Sequence, residues 1–396
     1  MPWKVTWPMK ERERMIHAWL TGRYTVTQLA QAFEVSRKTA HKWLQRYTYF
    51  GPAGLADRPH DAYYHPNATP EAVVAAVIRE KRSHPNWGPL KLQPGSQDPP
   101  EVVAAWPAPS TRGAILARAG LTQLRRRRRR VPPSSKPFSA CDQPNAVWCA
   151  DFKGWFRTQN GQRCDPLTVS DAYSRMLLCC QGLARSDYAH VRPAFEAVFR
   201  QYGLPDAIRT DNGPPFASVA VAGLSPLAVW WVKLGIQPER IEPGHPEQNG
   251  RHERMHLTLK QECCRPPAAT LAAQQQCFDA FGHTFNFERP HQALGQQPPA
   301  AFYKASRRPY PARLEDPLYA ADAVIRRVRS NGEIRWKGNL VFLSEALIGE
   351  AVGIRERLIG YEVHFGPITL GKLDAKGERL IRLDEYKFSG VLEMVV

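Results

Sequence analysis

Apolar residues recur at i, i+3, i+4 and i+7 in two neighbouring stretches near the start of the chain. Val26, Leu29, Ala30 and Phe33 make the first set, and Ala40, Trp43, Leu44 and Tyr47 the second. That spacing lines one face of a helix. Between the sets, Val35 reads as a turn residue pointing inward and Ser36 as an N-cap. The opposite face of the second helix carries Arg37, Lys38, Thr39, Lys42 and Arg46. A helix apolar on one side and basic on the other can pack and still face a major groove, so residues 1–52 are predicted to form a helix-turn-helix. The alternative is a helical hairpin with an exposed charged face.

Further on, "TPEAVVAAVIREKRSHPNWGPLKL" predicts a helix with Thr69 as N-cap and Pro70 in its first position. "APSTRGAILARAGL" predicts a second one, entered at Ser110 and closed by Gly120. Between them, "QPGSQDPPEVVAAW" (93–106) carries three prolines and a glycine, a composition that opposes a helix. Residues 60–122 are thus expected to be a second helical, winged-helix-like but locally irregular region. From residue 145 the pattern alternates. Strands are expected at 146–156 and 165–184, with turns at Asn160-Gly161 and near Asp171. A helix is expected at 186–203, capped by Ser186 and stopped by Gly203. A short strand then precedes Asp211, a helix ends in "VWWVKLGI", and two more helices cover 251–264 and 269–287. This order implies a mixed α/β layer fold. After residue 318 the alternating segments, with a Ser-Asn-Gly turn, imply a small antiparallel barrel.

Charge sharpens the picture. The net charge is +17, yet it is not spread evenly: residues 1–140 hold 23 Lys and Arg against 9 Asp and Glu, and residues 141–396 hold 31 against 28. Such asymmetry points to a polyanion, most often nucleic acid. Six consecutive arginines, Arg125, Arg126, Arg127, Arg128, Arg129 and Arg130, sit in a proline-containing basic linker (123–140) without periodicity. Such a run is suited to lying along phosphates, and all six are expected DNA contacts. No stretch approaches a membrane span and no hydrophobic signal core is seen, so a cytoplasmic protein is expected. The eight cysteines form no CxxC pair, which argues for free thiols over a zinc site.

Two aspartates stand where strand-end ligands stand. Asp151 follows "AVWCA", and Asp211 follows "DAIRT" and opens "DNGPPF". A carboxylate in an apolar strand is costly unless it is paired or bound to a metal. With "GHPEQNGRHERMHLTLK", these segments resemble the DDE transposases and integrases, the retroviral integrase superfamily. The nearest likeness is to bacterial transposases of insertion sequence family 481. The resemblance also takes in "WWVKLGI" and "NFERPHQALGQQPPA", and it spans nearly the whole chain.

The resemblance implies an RNase H-like catalytic core over 141–308 and a β-rich domain over 309–396. It implies a catalytic, metal-holding triad of Asp151, Asp211 and a glutamate. Two Mg²⁺ ions, with Mn²⁺ as substitute, would serve cleavage and strand transfer. Glu247 and Glu253 compete for the third place: 35 residues separate Asp211 from Glu247, a spacing known in the superfamily, and 41 separate it from Glu253. Glu253 is preferred because it sits on a helix rather than in a Gly/Pro loop, and because Lys260 follows seven residues later as in the relatives. Glu242 and Glu262 read as solvated charge, and Asp171 as a turn-holding carboxylate. His245, His252 and His256 read as DNA contacts or surface. Asn249, Arg251 and Lys260 join the helix-turn-helix and the arginine run as expected DNA contacts. Partners would be double-stranded DNA, as terminal inverted repeats and target, and further copies of the chain in a dimer or larger assembly, associated with a bacterial nucleoid. The competing expectation is a decayed, catalytically silent transposase that only binds DNA and represses; a plain nuclease fits the basic front end less well.

Overall fold

The computed structural model describes residues 7–57, 67–122, 141–218, 220–241, 250–358, 360–374 and 376–382, and backbone only for 250 and 251. All six arginines of the expected phosphate-tracking run, Arg125, Arg126, Arg127, Arg128, Arg129 and Arg130, lie outside these residues. So do Glu242, His245, Glu247 and Asn249, and the side chain of Arg251. The chain divides into two compact units, Met1–Thr69 and Pro70–Val396.

The described residues of the first unit form three α-helices, α1 (Pro8–Leu20), α2 (Val26–Ala32) and α3 (Arg37–Phe50). The periodic sets pack as their spacing requires: Leu29, Ala30, Ala40, Trp43 and Leu44 share one buried cluster. Thr25 caps α2 through a capping box with Gln28. Ser36 caps α3 by accepting from the Thr39 amide. The pattern did not announce α1, whose buried residues are only Met15 and Ile16. Two adjacent apolar positions make no stripe, and Pro8 at the helix start is its one local signal.

The second unit opens with α4 (Glu71–Ser83), α5 (Pro100–Ala104) and α6 (Pro109–Arg118). The cap of α4 is Pro70, one residue later than expected, and no side chain caps it. The segment 93–106 is better ordered than its composition suggests. Pro99 and Pro100 do not forbid a helix there; they start one, because a first-turn proline gives up no helical hydrogen bond. Val102 then packs with Val73, Ala76 and Trp106. The carboxylate of Asp98 accepts from the Gly95 amide and pairs with Arg79.

The central sheet contains β1 (Val147–Phe152), β2 (Phe156–Arg157), β3 (Arg163–Asp171), β4 (Leu177–Leu183), β5 (Ala207–Thr210) and β6 (Gln237–Arg240). Its order is β4-β3-β1-β5-β6, with β2 on the first residues of β3. β3 runs antiparallel to β1 and β4, while β1, β5 and β6 run parallel. One face is covered by α7 (Tyr188–Tyr202) and α8 (Pro226–Lys233), through a core that includes Trp148, Phe195, Phe199, Trp230 and Trp231. The cap of α7 is Asp187 rather than Ser186. α9 (Gly250–Cys263) and α10 (Leu271–His283) build a separate cluster with Cys164 and Leu177 of the sheet.

The C-terminal part is all β. A five-stranded antiparallel sheet runs in the order β13 (Leu380–Arg382), β12 (Ile368–Leu373), β11 (Tyr361–Phe365), β10 (Ala351–Glu356) and β7 (Val324–Arg327), beside a hairpin of β8 (Glu333–Trp336) and β9 (Asn339–Phe342). Its core merges with Leu224, Ala228, Val229 and Val232 from the α8 region. Lys233 reaches across to Glu350 at 2.8 Å.

Candidate active site

Asp151 is the fifth residue of β1, and Asp211 follows the last residue of β5. The two strands are parallel neighbours in a register that pairs Val147 with Ala207 and Cys149 with Arg209. The same offset of 60 sets Asp211 beside Asp151. Both carboxylates therefore stand at one end of adjoining parallel strands, where ligands of α/β sheets gather. The turn after Asp211 is held locally: its Oδ1 accepts from the Gly213 amide at 3.2 Å, and the Asn212 side chain donates to the Ile241 carbonyl at 2.8 Å.

Glu253 lies in the first turn of α9 and is exposed. Its charge and that of Asp211 both reach Asp151, whose carboxyl is pushed up to about 7, first by burial, then by Asp211 and more weakly by Glu253. Asp151 thus carries a repulsion from two other acids that a cation would relieve. Among the described residues, no three acidic, histidine or cysteine side chains stand close enough to cage an ion as they are. The donors fit Mg²⁺ in kind, being carboxylate oxygens set at a strand end and a helix start.

What fixes α9 on the sheet is a polar hub. His252 and His256 lie one turn apart and are 2% and 7% exposed. Both Nε2 atoms stand 2.7 Å from the Thr168 hydroxyl on β3, and that hydroxyl donates to the Asp151 carbonyl at 3.0 Å. A hydroxyl has one proton and two lone pairs. Both imidazoles must then donate through Nε2–H, which leaves both Nδ1 atoms as acceptors. His252 Nδ1 takes the Ser170 hydroxyl at 3.0 Å, and His256 Nδ1 faces the Asp151 carboxyl at 3.8 Å. Burial keeps the rings neutral by lowering them to about 3 and about 2; for His256 the charges of His252 and Lys153 add to the effect.

These histidines are therefore not surface or DNA contacts, as the sequence led one to expect, but the mount that aims α9. Their i, i+4 spacing was the available signal; the partner hydroxyls on β3 were not visible from it. Glu262 is likewise not solvated charge, for Arg289 donates to it at 2.8 Å in a half-buried pair. Asp171 does hold its turn. It is 1% exposed and accepts from the Ser174 amide and hydroxyl and from the Asn145 amide.

Of the expected DNA contacts, Arg37, Lys38 and Lys42 are exposed along α3, together with His41 and Gln45, which sequence reasoning passed over. With Arg46, Tyr49 and Phe50, residues 38, 41, 42 and 45 line an open groove of about 560 Å³. Thr39 is half-buried, its hydroxyl 2.9 Å from that of Ser36. Arg46 donates to the Ala56 carbonyl at 2.7 Å and sits 4.7 Å from the centre of the Trp43 ring, which Arg12 approaches to 3.8 Å. Lys260 is half-buried on α9.

Residues 142–246 and 234–299 match integrase core domain families, and residues 11–62 match a helix-turn-helix domain family. An uncharacterized 39.2 kDa protein of insertion element IS476 from Xanthomonas euvesicatoria is 28% identical over 294 residues, covering 73% of this chain and 81% of that protein. An uncharacterized 31.7 kDa protein of insertion element IS407 from Burkholderia multivorans is 31% identical over 193 residues, covering 48% of this chain and 66% of that protein. Among solved structures, the catalytic core domain of HTLV-2 integrase in complex with magnesium is 16% identical with a TM-score of 0.33, covering 41% of this chain and 98% of that one. The simian T-cell lymphotropic virus intasome in complex with PP2A regulatory subunit B56 gamma is 13% identical with a TM-score of 0.37, covering 77% and 99%. An integrase core behind a helix-turn-helix, in a chain whose relatives are insertion-element proteins, means that this chain belongs to the insertion-element transposases of the retroviral integrase superfamily.

Proposed function

We propose that this chain binds the terminal inverted repeats of its element, cleaves DNA at the element end, and joins the exposed 3′ hydroxyl to a target strand. The observation that supports this reading is that Asp151 and Asp211 end adjoining parallel strands, with the charge of Glu253 on α9 also felt at Asp151. These three side chains would hold Mg²⁺, or Mn²⁺ in its place. Bound there, the ions supply the Lewis acidity that activates water or a 3′ hydroxyl and neutralises the departing oxygen.

The chain's own residues do the rest. Asp151 and Asp211 bind from rigid strands, and Glu253 binds from a helix whose orientation the Thr168 hub fixes. Lys153, whose charge is felt at both Asp151 and His256, offers a cation to the phosphate that enters. The exposed face of α3 reads the repeat through Arg37, Lys38 and Lys42 from its N-terminal half. The arginine run (Arg125, Arg126, Arg127, Arg128, Arg129 and Arg130), with Asn249, Arg251 and Lys260, holds backbone, giving salt-dependent affinity. Joining two ends calls for a dimer or larger assembly.

The deciding experiment is a strand-transfer assay with element ends and Mg²⁺, run beside Asp151→Asn. Loss of cleavage and joining with DNA binding intact is the expected result. Equal activity in the two proteins refutes the assignment, and binding without activity in the wild type favours the silent repressor.

A further inference from the structure

Four residues beyond Asp151, the chain leaves β1 and presents Trp155 to solvent. The turn depends on Gly154, whose φ of +85° is open to glycine and strained for other residues. Trp155 is 56% exposed, while most tryptophans of the described core are buried. Two guanidinium groups flank its ring, with Arg163 at 5.0 Å and Arg157 at 5.9 Å from the ring centre. Neither is loose. Arg163 pairs with Asp165 at 2.8 Å, and Arg157 donates to the Gly161 carbonyl at 2.8 Å. The β2–β3 hairpin thus holds a large aromatic face between two guanidinium groups.

That chemistry selects a class of ligand. The ring is edged by two planar guanidinium groups held in place, one of them ion-paired with Asp165. Aromatic faces combined with arginines are how proteins hold unpaired nucleotides: the ring takes the base and the cations take the backbone. Position narrows it further. Four residues of chain span at most about 14 Å, so Trp155 stands within a few nucleotides of whatever phosphate occupies the carboxylate site.

We propose that Trp155 is a stacking platform for an unpaired base of the DNA strand being processed, next to the phosphate held at Asp151, Asp211 and Glu253, with Arg157 and Arg163 on the adjoining backbone. This rests on the transposase reading above and adds to it that the strand end must be opened near the site. Base stacking is strong enough to supply part of that opening and tolerates any base, because each has a π face.

The test uses the full chain and a duplex with a short non-complementary 3′ end carrying iodouracil at the unpaired positions. Near-ultraviolet irradiation should cross-link that base to Trp155, as located by peptide mapping. W155F should keep the cross-link, and W155A should lose it by about tenfold or more. Arg163→Gln should weaken it less. Mobility shifts on fully paired duplex should change by less than about twofold in all three, because the duplex is held elsewhere. An undiminished cross-link in W155A, or equal loss of paired and frayed DNA, overturns the platform. A change of oligomeric state in W155A with no cross-link in the wild type makes Trp155 a protein contact instead. A wild-type chain that retains no DNA at all overturns the underlying reading, whereas tight binding without a Trp155 cross-link overturns the platform alone.

Discussion

α3 and α9 are both fourteen residues long, but they are seated by opposite means. α3 buries Ala40, Trp43 and Leu44 and leaves its polar residues to solvent. α9 buries two histidines among Met255, Leu259 and Cys263, and commits both Nε2–H groups to one threonine. Apolar seating is non-directional and tolerates small shifts. Polar seating is directional, and it is costly when one partner is removed. A helix that only has to reach a groove can be held the first way. A helix that must aim a carboxylate at two others is better held the second.

The largest expected effect tests whether α9 does aim the third acid. Glu253→Ala should abolish cleavage and joining while Glu247→Ala leaves them near wild type, both measured by strand transfer. The reverse outcome would move the third ligand off the helix and end the comparison. Next, Thr168→Val keeps shape but strips the hub of its hydroxyl, leaving two buried imidazole N–H groups without a partner. It should cost about 2–4 kcal/mol in urea unfolding and lower activity well before binding.

The Asp151 carboxyl gives a pH-dependent test of comparable size. Its folded value near 7 lies above its unfolded value of 3.8. The folded state therefore holds the proton more tightly, and stability is lost as pH rises from about 4 through 7. In metal-free protein, Asp151→Asn should be about 2–4 kcal/mol more stable than wild type at pH 8 and equal to it near pH 4. An equal difference at both pH values would mean that the carboxyl is not the cause. At the small end, Lys42→Ala on α3 should leave stability within about 0.5 kcal/mol and reduce affinity for cognate ends by about 1–3 kcal/mol if it meets a base. A Lys42→Ala protein that unfolds early would show α3 to be seated more like α9.

The same contrast separates what could be read in the sequence from what could not. The α2–α3 pair was legible because its apolar positions repeat with the helical period and Ser36 marks the entry. The two aspartates were legible because each interrupts or ends an apolar strand. The hub was not. His252 and His256 look like any exposed pair until Thr168 and Ser170, more than eighty residues earlier, are brought under them. Arg289 neutralises Glu262 across a shorter gap, equally silent in the pattern. α1 escaped because two adjacent buried residues carry no period, and α5 because prolines that break a helix interior also begin a first turn.

The merging of the C-terminal core with α8 bears on how this chain can be handled and how it can have been assembled. The family resemblance puts the end of the core at residue 308, yet a chain cut there would strip the cover from Leu224, Ala228, Val229 and Val232 and leave Lys233 without Glu350. Such a fragment should aggregate rather than behave as a soluble nuclease core. Natural deletions that remove the last strands should then produce insoluble products instead of dominant-negative ones. Exchange of the C-terminal sheets between related elements would have to carry the α8 face along with them.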